Sequence, residues 1–330
     1  MNTIIIIYFL LSLLLIFIVT KISYKLNLVD KPNIRKKHSK PTAFTGGLAI
    51  STAILLMYLS LNNLNNDLKL ILSFAFLISV IGIADDIYDI NTYTKFILQI
   101  IIVFFLLTIE NLRLLSLGDY NYFTLKLNYF SAPITLISVL FLINSFNYVD
   151  GIDGTLGFLS ISVLGILYFL IPDENLRFFL IIVFIPIFIF LFFNFSFFQL
   201  PKCFLGNSGS YALGFIISYL LIYLANKNIV HPILLAWSIV IFVYEFLAIN
   251  FNRSIKKKNI FTAGNDHLHY ILLNNTKSIF LTNFFTTSAN LFLFLIGYLS
   301  YFFISSFISL ILFILLYFIF HICRNKIESL

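Results

Sequence analysis

The chain has 330 residues, of which 60% are hydrophobic and 11% charged, with a mean hydropathy of +1.00 and a formal net charge of +7. Soluble domains run near roughly 45–50% apolar and about 25% charged, so the composition excludes an ordinary soluble domain and implies an all-α, polytopic integral membrane protein. The basic excess reads as a membrane-topology signal, and no nucleic-acid partner is expected.

In chain order, apolar stretches predict about eleven transmembrane helices (10–11): 3–20, 44–61, 69–84, 96–109, 131–146, 155–171, 177–193, 209–225, 232–250, 278–297 and 300–320. The first lacks a basic leader and a small-residue cleavage site, and Lys21 and Lys25 follow it, so it reads as a retained span. Short polar turns join most neighbours; the longer connection 110–130 predicts a small hairpin around Gly118-Asp119. Cys203 and Cys323 are far apart and offer neither a disulfide framework nor a metal knuckle. The whole of 1–330 reads as a single transmembrane domain.

Of the 21 Lys and Arg, sixteen fall on the face holding 21–43, 85–95, 147–154, 194–208, 251–277 and the C-terminus. That bias makes this face cytoplasmic and places the N-terminus outside. Five polar segments interrupt the apolar pattern, and the span count puts all five on that same face. They are "DKPNIRKKHSKPTAFTGG" (30–47), "ADDIYDINTYTK" (84–95), "NSFNYVDGIDG" (144–154), "GNSGS" (206–210) and "RSIKKKNIFTAGNDHLH" (253–269). Independent decoration would scatter such clusters over both faces; their convergence predicts one site.

Asp85 and Asp86, with Asp89 one turn on, are either a solvated acidic helix end or a Mg²⁺ site or general base, since hard cations choose carboxylate oxygens. Lys95 would steady the pair or meet a phosphate. Asn147, Asp150 and Asp153 spiral around a helix end, and Gly151 and Gly154 let a ligand approach the backbone. The alternative is a polar turn, which fits poorly with Asn144 and Asn147 inside an apolar helix. An EF-hand starting at Asp150 is rejected, because Ile161 would stand where the bidentate Glu belongs. "GNSGS" offers an anion-binding nest at a helix start or tight packing through glycine. In "NDHLH", His267 and His269 suit phosphate binding or acid–base work better than zinc, with an incidental basic loop as the alternative. Glu245, inside the ninth span, is an intramembrane acid for which Arg253 is a conceivable partner.

Together these blocks, in this order from Asp30 to His269, resemble the polyprenyl-phosphate N-acetylhexosaminyl-1-phosphate transferases, within the superfamily that includes phospho-N-acetylmuramoyl-pentapeptide transferase. The resemblance implies an enzyme of the bacterial cytoplasmic membrane that moves a sugar-1-phosphate from a UDP-activated amino sugar to undecaprenyl phosphate and releases UMP. Mg²⁺ is the implied cofactor, with Mn²⁺ as a substitute. The step would initiate a surface polysaccharide or other envelope glycan. The spaced His pair sets the chain apart from the peptidoglycan branch, which has three consecutive His.

By the same resemblance, Asp85, Asp86, Asp150, Asp153, His267 and His269 would be catalytic. Lys36, His38, Gly46, Gly47, Lys95, Asn147, Gly151, Arg253 and Asp266 would bind substrate, and Asp86, Asn147 and Asn207 would hold the metal. The family pattern has Asp at the second position of "GNSGS", where this chain has Asn207. The amide keeps a coordinating oxygen but loses a charge, so Asn207→Asp is expected to preserve or raise Mg²⁺ affinity. Membrane lipid is an expected partner, and a homodimer is compatible with the pattern. The rival classes are a secondary transporter, for which only Glu245 lies at the expected depth, and a catalytically silent scaffold, for which only Asn207 speaks.

Overall fold

A computed structural model describes residues 2–32, 40–61, 65–109, 112–257, 264 and 266–328. Among the described residues, thirteen α-helices carry the fold: α1 (Asn2–Lys25), α2 (Gly46–Leu59), α3 (Asn66–Tyr88), α4 (Thr92–Leu106), α5 (Ser131–Val149), α6 (Thr155–Leu170), α7 (Glu174–Asn194), α8 (Gly206–Asn226), α9 (Pro232–Ser238), α10 (Val240–Ile255), α11 (Leu268–Thr276), α12 (Ile279–Phe303) and α13 (Ser306–Glu328). Two small antiparallel pairs accompany them: β1 (Val29–Asp30) with β2 (Thr42–Ala43), and β3 (Ser116–Asp119) with β4 (Thr124–Lys126).

Every predicted apolar stretch is helical over most of its length, but the last break falls at 304–305, inside the predicted span 300–320, and not at 298–299. Among the described residues, seven helices are long and apolar enough to cross a membrane, and the bent pair α9–α10 makes an eighth if counted as one span. The protein is therefore an all-α polytopic membrane protein. The helices α2, α4 and α6 are apolar but shorter; the 14 residues of α2 reach about 21 Å, against a hydrocarbon core of about 30 Å.

Three other local features depart from the sequence reading. The predicted ninth span is broken at Ile239, where α9 and α10 meet at 73°. A break at membrane depth frees backbone groups that must be paired inside the protein. Asn290 of α12 does this, accepting from Ile241 N–H at 3.4 Å and donating to the Ser238 carbonyl at 3.1 Å. The hairpin in 110–130 exists, but it turns at residues 120–123, with Gly118 inside β3 at φ +113°. A Cβ on Gly118 would lie 2.7 Å from the His231 ring, so this glycine serves a close approach and not a turn. Finally, α11 is an additional short helix directly after the His pair.

The chain divides into two compact units, Met1–Ile102 with Asp173–Ile217, and Val103–Pro172 with Ser218–Leu330. In the first unit, α1 is tied to α7 by Tyr8 O–H donating to the Ile182 carbonyl at 2.8 Å, and α2 to α3 by Ser51 and Ser79. Small residues then set the spacing. A Cβ on Gly47 would lie 2.0 Å from Gly209 N, and one on Gly82 would lie 2.4 Å from Ser208 Cα. Backbones of α2, α3 and α8 thus touch, as close helix association without side-chain bulk allows. In the second unit, Phe146 of α5 stacks on Phe242 of α10 with ring centroids 4.0 Å apart, and Asn283 of α12 bonds both Thr155 and the Asp153 carbonyl at the start of α6.

Candidate functional site

In the first unit the acidic end of α3 meets the start of α8. Asp89 closes α3 in the left-handed region (φ +47°), its N–H bonding back to the Asp85 carbonyl. Asp85 is buried at 3% exposure. Its Oδ1 is ion-paired to Lys95 Nζ of α4 at 2.8 Å. Its Oδ2 accepts from Asn207 Nδ2 at 2.8 Å and from Tyr211 O–H at 3.0 Å. Asp86 accepts from the Asn207 backbone N–H at 2.9 Å, placing a carboxylate at the positive end of a 21-residue helix. Gly206 permits this contact: its φ is +72°, and a Cβ there would lie 2.4 Å from the Phe44 carbonyl oxygen and 2.7 Å from Asp86 Oδ2.

This arrangement settles two readings of "GNSGS". The glycines are packing residues, and the Asn207 N–H of the helix start is taken by the protein's own Asp86. Lys95 is ion-paired to Asp85, the first member of the acidic pair. Gly46 and Gly47 lie at the start of α2, their N–H groups donating to the Phe204 and Leu205 carbonyls at 3.0 and 2.8 Å. Tyr211, four residues after Asn207 and so on the same helix face, is a member that the sequence reading missed. Lys36 and His38 lie outside the described residues.

In the second unit, "NSFNYVDGIDG" ends α5 and opens α6. Asp150 caps α5 and Gly154 (φ +81°) caps α6. Desolvation at this helix end, reinforced by Asp153, pushes the Asp150 carboxyl up to about 7. The space above Gly151 is filled by the protein itself: a Cβ there would lie 2.0 Å from His269 Nε2, and the Gly151 carbonyl accepts from Tyr270 O–H at 3.0 Å. The glycine is clearance for an imidazole.

His267 and His269 are both buried, their rings near-parallel at 4° with centroids 5.5 Å apart. Neither His267 Nδ1 nor His269 Nε2 has a hydrogen-bond partner among the described residues. Burial lowers the His267 imidazole to about 4, and burial together with His267 holds His269 well below its ordinary value. Both rings are neutral at physiological pH. Before them stands Asp266, gripped by a two-pronged bond from Arg253, Nε to Oδ2 at 2.9 Å and Nη2 to Oδ1 at 2.6 Å. That fork holds the Asp266 carboxyl down at about 2.

Arg253 is consequently not the partner of Glu245. The buried Glu245 pairs with Arg324 of α13, Nε to Oε2 at 3.0 Å, and its Oε1 accepts from the Leu268 N–H at 2.6 Å. Arg324 was counted in the sequence only as a C-terminal basic charge. The signal that could have found it is Glu245 itself, since a buried acid at membrane depth demands a cation.

Two polar clusters, one acidic with a lysine and one of paired imidazoles beside an Arg–Asp fork, thus stand at helix ends of a polytopic membrane protein. Residues 68–225 match the model of glycosyl transferase family 4. Over 280 residues the chain is 29% identical to an undecaprenyl-phosphate alpha-N-acetylglucosaminyl 1-phosphate transferase from Yersinia pestis, covering 83% of this chain and 77% of that one. It is 27% identical over 327 residues to the protein of the same description from Escherichia coli K12, covering 96% and 89%. A probable undecaprenyl-phosphate N-acetylglucosaminyl 1-phosphate transferase from Bacillus subtilis is 28% identical over 291 residues, covering 82% and 77%. The chain is thus similar to glycosyl transferase family 4 over residues 68–225.

Proposed function

We propose that the protein transfers a HexNAc-1-phosphate, with N-acetylglucosamine-1-phosphate as the first candidate, from a UDP-sugar to undecaprenyl phosphate. The similarity along most of the chain to transferases described for that reaction carries the proposal. A phosphate oxygen of the lipid forms a new P–O bond to the sugar-bearing phosphorus of the donor, the bond to the UMP oxygen breaks, and UMP leaves. Both reactants are anions, so their repulsion is the main barrier that the site must lower.

The chain's own groups suit that task. Lys95 is held by Asp85 and is available to an approaching phosphate through its partly exposed side chain (24%). Asp85, ion-paired to Lys95 and accepting hydrogen bonds from Asn207 and Tyr211, anchors Lys95 and Asn207; a phosphate nucleophile that is already ionised needs no base. Neutral His267 and His269 offer ring N–H donors to a diphosphate, and the Arg253–Asp266 fork fixes the chain just before them.

Among the described residues there is no group of three or more His, Cys, Asp or Glu that could hold a metal. The donor set Asp86 plus Asn207 Oδ1 nevertheless fits Mg²⁺, which is commonly held by one or two protein oxygens together with substrate phosphates and waters. When bound, the ion would neutralise phosphate charge. Asn147, in the second unit, is proposed as a nucleotide or metal contact, and Asp150 and Asp153 as groups facing the donor.

For topology, eleven spans follow if α9–α10 counts as one crossing and α2, α4 and α6 cross as well. The N-terminus is then outside, and the polar clusters face the cytoplasm of a bacterial cell bounded by this membrane. The test incubates purified protein with undecaprenyl phosphate, Mg²⁺ and a panel of UDP-sugars and measures UMP. Release that needs both the lipid phosphate and the metal is expected; a folded protein that releases no UMP from any donor would overturn the proposal.

A further inference from the structure

The structure assigns a positioning role to the buried Glu245–Arg324 pair: it clamps the backbone on both sides of His267 and so sets where the imidazole pair stands. The bonds run to peptide groups, not merely from helix to helix. Glu245 Oε1 accepts from the Leu268 N–H at 2.6 Å, and Arg324 donates through Nη2 to the Asp266 carbonyl. His267 is the residue between those two peptides, and its own side chain has no polar partner at Nδ1 among the described residues. The ring is packed against Tyr148 and His269, with centroids 5.1 and 5.5 Å away, and the clamp on its flanking backbone adds the polar restraint that Nδ1 lacks.

Arg324 is set for this by α13. It is buried at 2% exposure, and three of its guanidinium nitrogens are used. Nε reaches Glu245 Oε2 at 3.0 Å and Nη1 reaches Glu328 Oε2 at 3.2 Å, one turn along the same helix. Nη2 goes to the Asp266 carbonyl and lies 3.4 Å from Glu245 Oε1. A planar five-donor fork can serve several acceptors at once where an ammonium would meet fewer. A buried ion pair adds little net stability over well-packed apolar residues of the same volume, so the consequence of this one is geometric. It makes the last helix, which lies beyond residues 68–225 matched by the family, part of the apparatus around the imidazoles.

The inference rests on the proposed transferase reaction for its kinetic consequence but not for its structural one. Removing Arg324 alone leaves Glu245 buried without its cation and invites misfolding. The working variant is therefore the double substitution Glu245→Gln/Arg324→Gln, which removes both charges, with Arg324→Lys beside it. Two readouts apply to each: steady-state kinetics with UDP-N-acetylglucosamine and undecaprenyl phosphate varied in turn, and amide hydrogen exchange at residues 266–270.

Loosened imidazoles should raise the KM for the UDP-sugar about tenfold, as loss of supporting contacts around a site commonly does. The KM for the lipid phosphate should stay within about twofold, Leu268 amide exchange should quicken, and Arg324→Lys should fall between wild type and the double variant. A uniform drop in kcat with both KM values unchanged would mark a purely structural pair and overturn the assignment. So would Leu268 exchange as slow as in wild type. If wild-type protein turns over no UDP-sugar, the transferase reading fails by itself, and Leu268 exchange alone then decides the clamp.

Discussion

Asn207→Asp is the most informative single substitution in the first unit. Asn207 Nδ2 donates to Asp85 Oδ2 at 2.8 Å, while Lys95 holds the other oxygen of the same carboxylate at 2.8 Å. Aspartate at this position replaces a donor with a second anion at that distance. At an effective dielectric of about 20 the repulsion is about 6 kcal/mol, and the lost charge-assisted hydrogen bond adds about 1.5–3 kcal/mol. A proton or a divalent cation must then enter between the carboxylates. The variant should therefore melt well below wild type at pH 8.5 without divalent metal. It should recover most of the difference in 10 mM Mg²⁺, while wild type gains little. Differential scanning fluorimetry of detergent-purified protein, with a Mg²⁺ titration at pH 6 and 8.5, reads this directly through the stabilisation that a ligand confers on the folded state. An Asn207→Asp protein as stable as wild type at pH 8.5 in chelator would show that the amide does not donate to Asp85, and the account of the acidic cluster would fail.

Gly151→Ala forces the His269 ring out of place, because a Cβ at Gly151 would lie 2.0 Å from its Nε2; overpacking of this kind costs about 1–3 kcal/mol. The variant should melt lower and lose donor turnover, and a crystal or cryo-EM structure with His269 unmoved would contradict the packing. His267, lowered to about 4 by burial, is neutral when folded and takes up a proton more readily when unfolded. Its contribution is complete above the unfolded value near 6.5 and is lost as the pH falls toward 4, about 3 kcal/mol in all. His267→Gln should flatten the acid limb of the stability profile measured from pH 7 to 4.5; an unchanged limb would refute it. Lys95→Met removes the cation from Asp85 and should lower both stability and turnover, whereas Lys95→Arg should restore stability ahead of activity. Equal turnover in Lys95→Met and wild type would remove Lys95 from the phosphate site.

Most of the helices and the polar breaks between them are legible in local composition alone. A bilayer leaves few ways to satisfy a backbone, so long apolar stretches such as Glu174–Asn194 and Gly206–Asn226 are legible as helices without any knowledge of their neighbours. Clusters such as "ADDIYD" and "NDHLH" stand out because charge is expensive in such a chain. Which group each of them meets was decided only by tertiary structure, since partners far apart in sequence leave no period to read. Glu245 finds Arg324, 79 positions away, in place of the nearer Arg253. The amide of Asn207 turns its nitrogen to Asp85 because the oxygen there can only accept. Gly151 gives its space to His269, 118 positions on, and the apolar stretch 232–250 bends at Ile239 because Asn290 is there to receive the freed backbone. Local physics writes the helices into the sequence; complementary donors and acceptors, brought together only by folding, decide what each polar residue does.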